Sequence, residues 1–298
     1  MTLALVSDPG VPVPILRSTP LPQLGPTDLR VRVRAASVDL VDTLVVAGVA
    51  RAIFGLTGTV GLGFSVTGTV TAVGTDVVDV AVGDEIAALH PDIAAPVRAA
   101  AEETIVPAAT AARLPDGIDP VAAASLPLNG SLAAVLVERL GPADGRTLLV
   151  TGAAGSVGGY AVALAARAGW AVTGLARPGD RDFVLRAGAR ELVTELPGPR
   201  FDAVLDGAVL HGPALAALRD GGIFVAPPAA VLAAPERGID VRIESVRTDS
   251  ARLARLLRLA AAGVLELRVA GRVPLAEAES AYKQVSAGGQ RGRWLLEP

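Results

Sequence analysis

Between Thr147 and Gly159 the chain reads as an apolar strand, a turn punctuated by Gly152, Gly155 and Gly158, and the opening of a helix. Such a passage brings bare backbone N–H groups and the positive end of a helix to one point, which is how a fold cradles a pyrophosphate. The glycines are spaced three apart rather than in the commoner G-x-G-x-x-G order, so context decides the reading. The helix carries Val157, Ala161, Leu164, Ala165 and Ala168 on one face and stops at Gly169. A strand over 171–176, a helix opened by Pro178, and strands at Ala203–Asp206 and Gly222–Val225 follow. Repeated β-α units in one run require a doubly wound parallel sheet with right-handed crossovers. The competing reading is a tight strand-to-helix turn that holds no ligand.

The tip of the strand after the glycines selects among dinucleotides. An NAD site places Asp or Glu there to accept from the ribose 2′-OH. This chain has Arg177 instead, with Arg181 within one helical turn. Arginines pair a 2′-phosphate, so NADPH is the expected cofactor; solvated surface arginines are the alternative. Gly152, Ala154, Gly155, Ser156, Val157 and Gly158 then form the phosphate loop. Asp206 and Gly207 end a later strand at the carboxyl edge, where ligands of such sheets gather, although a capped turn explains them equally.

Ahead of this region the pattern is β. Arg30 to Arg34 alternates arginine with valine, Phe64 to Val73 lacks helical periodicity and ends at Gly74, and Val78, Val80 and Val82 alternate into a turn at Gly83. Short strands between turn residues predict a small barrel or sandwich. Asp119-Pro120 is expected to cap an Ala-rich helix. Leu253, Leu256, Leu257 and Ala260 form a helical stripe stopped by Gly263, Pro274 starts a short helix through Tyr282, and Trp294 to Leu296 reads as a strand.

Composition narrows the partners. A net charge of −3 and the lack of any basic run argue against nucleic acid. With no cysteine, disulfides and thiolate metal sites are excluded, and His90 and His211 are the only histidines. No signal peptide and no membrane span are read, so a cytoplasmic protein is expected. His90 reads as a surface residue before Pro91, and His211 as a loop residue before Gly212-Pro213. A hydrolase alternative takes Ala154 to Gly158 as a nucleophile elbow, with Ser156, Asp206 and His211 in the order Ser, Asp, His.

Taken together, these segments resemble the zinc-independent quinone oxidoreductase branch of the medium-chain dehydrogenase/reductase superfamily. Ala36 to Thr43 is similar to its A-S-V-N-P-x-D segment, and Gly68 to Gly74 with Val82 to Glu85 to its barrel strands. Gly152 to Gly158 is similar to its A-A-G-G-V-G loop, Arg186 to Ala189 to its L-G-A element, and Gly292 to Leu295 to its terminal G-K-x-V-L. The resemblance implies an α/β architecture: a GroES-like β-barrel domain from residues 1–115 with 264–298, and a Rossmann domain over 116–263. It also implies metal-free hydride transfer from NADPH to a quinone or an α,β-unsaturated carbonyl, in a homodimer. Ala226 and Arg293 complete the implied cofactor contacts, and Asp39, Asn129 and Ser131 the polar lining near the nicotinamide. The chain departs from the family in several places: its Asn is Asp39 here, its tyrosine after Gly48 is missing, its Thr after Leu128 is displaced so that Asn129, Gly130 and Ser131 are the polar groups, and the chain is shorter between Glu85 and Leu114 and after Phe224. A member that binds cofactor without catalysis is therefore the second functional reading.

Overall fold

The computed structural model describes residues 1–228 and 236–298. In chain order the first strands are β1 (Thr2–Ser7), β2 (Ile15–Thr19) and β3 (Asp28–Val38). Helices α1 (Leu40–Val46) and α2 (Val49–Phe54) precede β4 (Val60–Gly61), β5 (Ser65–Val73), β6 (Glu85–Leu89), β7 (Glu103–Pro107) and β8 (Ala111–Arg113). Then come α3 (Pro127–Leu140), β9 (Thr147–Thr151), α4 (Ser156–Arg167), β10 (Ala171–Leu175), α5 (Arg181–Arg186), β11 (Glu191–Val193) and β12 (Phe201–Asp206). The rest is α6 (Gly212–Leu215), β13 (Leu218–Ala226), β14 (Asp240–Ile243), α7 (Ser250–Ala261), β15 (Val269–Pro274), α8 (Ala278–Ala287) and β16 (Arg293–Glu297).

Two compact units emerge. The first comprises Met1–Leu128, Thr248–Ala262 and Leu267–Pro298; the second comprises Asn129–Arg247 and Gly263–Glu266. The sequence divides at 116 and 264, whereas the contacts assign α7 to the first unit. Its Leu253, Leu256 and Leu257 are fully buried, and it packs on β8. The helix opens at Asp249, whose carboxylate accepts from the Arg252 amide at 2.7 Å.

The first unit is built on β3. One edge pairs antiparallel with β5; the other pairs with β7 along its first half and with β16 along its last residues. The sheet runs β15-β16-β3-β5-β6-β8, and a second sheet runs β2-β1-β4. Alternation along β3 buries Leu29, Val31 and Val33, while Arg32 and Arg34 face water. Two expectations for this unit fail. Residues 77–82 form no strand, and Val78 and Val82 are exposed, because valine alternation without a pairing partner does not make a strand. Asp119 does cap a helix start, accepting from the Val121 amide at 2.9 Å, but only a short 3-10 turn over Ala122–Ser125 follows; the α-helix begins at Pro127.

The second unit is a six-stranded parallel sheet in the order β11-β10-β9-β12-β13-β14. Its first three strands in sequence run outward one way and the next three the other, so the order reverses between β9 and β12. Leu149, Val204 and Phe224 lie side by side on these strands and belong to one buried cluster with Leu215 and Leu218. Among the described residues no helix is long and apolar enough to cross a membrane.

Candidate cofactor site

β9 ends at Thr151, and the glycine turn carries the chain into α4. Gly152 adopts φ +60° with its α-carbon turned toward Ala208, where a side chain would meet the Ala208 backbone at 3.2 Å. A β-carbon on Gly158 would stand 2.1 Å from the Gly152 carbonyl oxygen, so the helix approaches the turn only because that position is bare. Gly155 is the extended residue before α4, and no side chain caps the helix. The helix has 12 residues, so its first-turn N–H groups carry a full macrodipole toward whatever lies above the turn. Ser156, Val157 and Gly158 form that first turn, and Ala154 is buried just beneath it.

Across the sheet edge from the turn, Arg177 ends the approach to a 3-10 turn over Pro178–Asp180, and Arg181 opens α5; both side chains are exposed. Arg181 lines a cleft of about 420 Å³ together with Pro178 and residues 192–195. Both arginines stand just past the end of β10; Arg181 lines the cleft, Glu195 lines it as well, and Arg177 does not. The turn and the uncapped helix start fit the pyrophosphate of a dinucleotide.

Asp206 differs from its expected role. It is fully buried opposite Thr151 in the strand register, and its Oδ1 accepts from Thr151 Oγ1 at 2.5 Å. Its Oδ2 accepts from the His211 backbone N–H at 2.7 Å. The carboxylate thus fastens the loop after β12 instead of presenting an acceptor to a ligand. Gly207 follows directly, pressed near the Thr151 carbonyl. Ala226 ends β13 at the same carboxyl edge, buried, its carbonyl accepting from the Glu244 amide at 3.0 Å.

The hydrolase constellation does not assemble. Asp206 binds the main chain of His211, and neither imidazole nitrogen of His211 has a hydrogen-bond partner. A base that makes no contact with acid or nucleophile cannot relay a proton.

Asn129 and Ser131 are buried in the first turns of α3 in the second unit. Asp39 lies in the first unit, buried as the residue before α1. It accepts from Ser37 Oγ at 2.7 Å and pairs with Arg293 Nε at 3.0 Å. Arg293, expected at the cofactor, is therefore committed to Asp39: the acid that replaces the family's Asn brings its own counter-ion. Next to it, the Asp39 amide donates to Asp42 Oδ2 at 3.1 Å, and the other Asp42 oxygen accepts from the Gly63 amide at 2.9 Å. Arg98, fully buried, lies 3.7 Å from Asp42 and stacks on Phe64 at 3.7 Å. Burial outweighs the Arg98 charge and raises Asp42 to about 6. His90 is 5% exposed rather than at the surface, and burial with the nearby Arg98 charge lowers it to about 4. Sequence reading missed Arg98 entirely, since one arginine in an alanine-rich loop gives no periodic signal. Where the family's tyrosine would lie, α2 instead exposes Val49, Ile53 and Phe54.

Among the described residues no three His, Asp or Glu side chains gather to hold a metal. A family model described as an alcohol dehydrogenase GroES-like domain matches residues 25–116, and one described as a zinc-binding dehydrogenase matches 180–296. The glycine turn lies between the two matched ranges. A quinone oxidoreductase from Coxiella burnetii has the same fold, with a TM-score of 0.89 and 24% identity over 100% of this chain and 99% of that one. A mycobacterial quinone oxidoreductase superposes with a TM-score of 0.81 and 26% identity over 100% of both chains. Erythronolide synthase EryA2 of Saccharopolyspora erythraea is 35% identical over 152 residues, which is 51% of this chain but only 4% of that far longer protein. The first model lies within the first unit, the second runs from the second unit into the first, and the fold agrees over the whole length: the chain is similar throughout to the dehydrogenases of the medium-chain dehydrogenase/reductase superfamily, which bind a nicotinamide cofactor.

Proposed function

We propose that the chain is an NADPH-dependent reductase of the zinc-independent, quinone oxidoreductase-like branch, passing hydride to a quinone or to the C=C bond of an α,β-unsaturated carbonyl. The observation that carries this reading is the pair Arg177 and Arg181 at the tip of β10, beside the glycine turn and the uncapped start of α4. Two guanidinium groups where an NAD site needs a carboxylate favour a 2′-phosphate. The cofactor, when bound, supplies the hydride. The turn and α4 hold the pyrophosphate by backbone N–H groups, and the two arginines hold the 2′-phosphate. Loop residues fastened by Asp206 fix the carboxyl edge at the strand-order reversal, so orientation is set before substrate arrives. With no cysteine in the sequence, the thiolate ligands of a structural or catalytic zinc site are missing.

Replacing Arg177 by Ala, and separately Arg181, should weaken NADPH binding about ten- to a hundredfold, the worth of a charge-assisted hydrogen bond, with little change for NADH. Cofactor fluorescence titration of wild type and variants measures both. Equal losses for the two cofactors would overturn the assignment. Tight NADPH binding with no oxidation by any quinone or enone would instead support a cofactor-binding protein without catalysis.

A further inference from the structure

The helical hairpin after β3 is built against the usual polarity of a surface element. Between Leu40 and Thr59 the sequence holds two charged residues, Asp42 and Arg51, and both are buried. Arg51 is the only charge on α2, and its guanidinium points inward to donate to the carbonyls of Leu56 at 3.2 Å, Gly58 at 2.9 Å and Ser7. Asp42 on α1 accepts from the Gly63 and Asp39 amides and lies beside Arg98. The large apolar residues take water-facing positions instead. Leu40 and Leu44 stand four apart on α1, and Val49 and Ile53 four apart on α2, so each pair shares a helix face, and Phe54 ends α2. Ile53 is 62% exposed, and Leu40, Val49 and Phe54 are each half exposed. α1 and α2 pack on each other, which places all five side chains on one hairpin.

A surface helix ordinarily does the reverse, because burying charge costs free energy and leaving apolar area in water forfeits the gain of burial. An arrangement so unfavourable to an isolated chain is explained by a surface that covers it. The five side chains expose roughly 400 Å², the range in which apolar patches on soluble proteins mark interaction sites. That area suits the apolar core of a contact that buries about 800 Å² per partner, and interface cores of this kind are depleted in charge. The lack of exposed charge also selects the partner. In a twofold contact the same patch meets itself, so any exposed charge would face its like. Asp42 and Arg51 being turned inside, residues 40–59 expose no charge. A lipid surface draws helices that display lysine or arginine, whereas this hairpin hides its one arginine.

We propose that α1 and α2 form the contact surface between two copies of this chain, related by a twofold axis. The surface lies wholly in the first unit and does not depend on the cofactor reading above. Because the sequence has no cysteine, a single introduced thiol reports on one position. A bismaleimide should join Ile53→Cys into a covalent dimer at micromolar protein at least about tenfold faster than it joins Val78→Cys, since the contact raises the effective concentration of the first thiol. Val78 makes a fair control, being 87% exposed in the loop between β5 and β6. The variants Val49→Glu/Ile53→Glu and Val49→Lys/Ile53→Lys should each self-associate about a hundredfold or more weakly in analytical ultracentrifugation. An equal mixture of the two should regain the dimer at low salt and lose it at about 1 M salt. Glu and Lys are better helix formers than Val and Ile, so both variants should keep a cooperative thermal transition. If they do not fold, the two cysteine variants decide alone. A wild-type chain that sediments as a monomer throughout the micromolar range, whether or not it floats with phosphatidylcholine vesicles, would overturn the proposal. So would cysteine variants that link equally fast, or charged variants that associate as wild type does or stay apart when mixed.

Discussion

Two side-chain pairs of the first unit carry opposite charge logic. Arg293 and Asp39 are 3.0 Å apart, with Asp39 1% exposed and Arg293 17%. Removing Arg293 alone strands a buried carboxylate, so Arg293→Met should cost about 3–5 kcal/mol in denaturant unfolding. Adding Asp39→Asn should recover most of that loss, and a double variant as unstable as the single would contradict the pairing. Asp42 and His90 act through protons instead. Asp42 titrates near 3.8 when unfolded and about 6 in the fold, so its stabilising contribution is present at low pH and is lost as pH rises through 6. His90 runs the other way: lowered from 6.5 to about 4, it contributes stability at neutral pH that is lost as pH falls through 4. Between these limits the two slopes oppose, and wild-type stability should be nearly flat. His90→Gln unmasks Asp42 and should be more stable at about pH 5 than at about pH 7, by about 1 kcal/mol; Asp42→Asn should show the reverse, by about 2 kcal/mol. Urea unfolding at the two pH values decides. None of this was visible in the one-dimensional chain. Asp39 invited a reading as a lone acid because its partner lies more than 250 residues away, and His90 beside a proline looked like a surface turn.

At the scale of elements the sequence was far more legible. The glycine turn, the stripe on α4 through Ala165 and the stop at Gly169, which adopts φ +92°, stand as read, because helix periodicity and terminators are local; Ala168, placed on the stripe, is the exposed residue just past the helix end. The four strands of the second unit that the sequence announces, β9, β10, β12 and β13, appear within a few residues of expectation, since parallel strands are buried on both faces and read as apolar runs; the short edge strands β11 and β14 give no such run. The valines at 78–82 misled for a physical reason: alternation records which face a strand would bury, and only a partner strand makes the burial real. α7 is the opposite case, correctly read as a helix yet packed in the other unit from its chain neighbours. Periodicity specifies that a face must be covered and is silent on what covers it. Leu257, fully buried on that face, tests the packing. Leu257→Ala should destabilise the first unit by about 2–5 kcal/mol in thermal or denaturant unfolding, and should leave the affinity for NADPH unchanged, because the residue belongs to the unit without the glycine turn.

The whole chain is organised around a discontinuity. The second unit is drawn almost entirely from one stretch, Asn129–Arg247, whereas the first is assembled from three separated ones. One edge of its central strand β3 stays open over Ala36–Val38 until Leu296, Leu295 and Trp294 of β16 align with it, while Ala36 faces Val66 of β5 on the other edge. Deleting residues 289–298 should therefore unfold the first unit while the second keeps its cofactor affinity, which limited proteolysis together with NADPH titration would reveal. Motifs such as the glycine turn are continuous in the chain and can be read there, whereas a substrate pocket is assembled from residues far apart in sequence, so the fold was legible and the substrate was not.

The register of β16 on β3 has a consequence in time. A ribosome delivers residue 38 long before residue 294, at about 5–20 residues per second, so β3 waits many seconds for the strand that completes its edge. During that interval the second unit, continuous in the chain, can finish folding alone, and the exposed end of β3 is the stretch most open to mispairing with another nascent copy. Arginines at alternate positions along β3, Arg30, Arg32 and Arg34, place like charge beside that waiting edge. The alternation that announced a strand to the reader of the sequence thus also discourages two unfinished molecules from joining there.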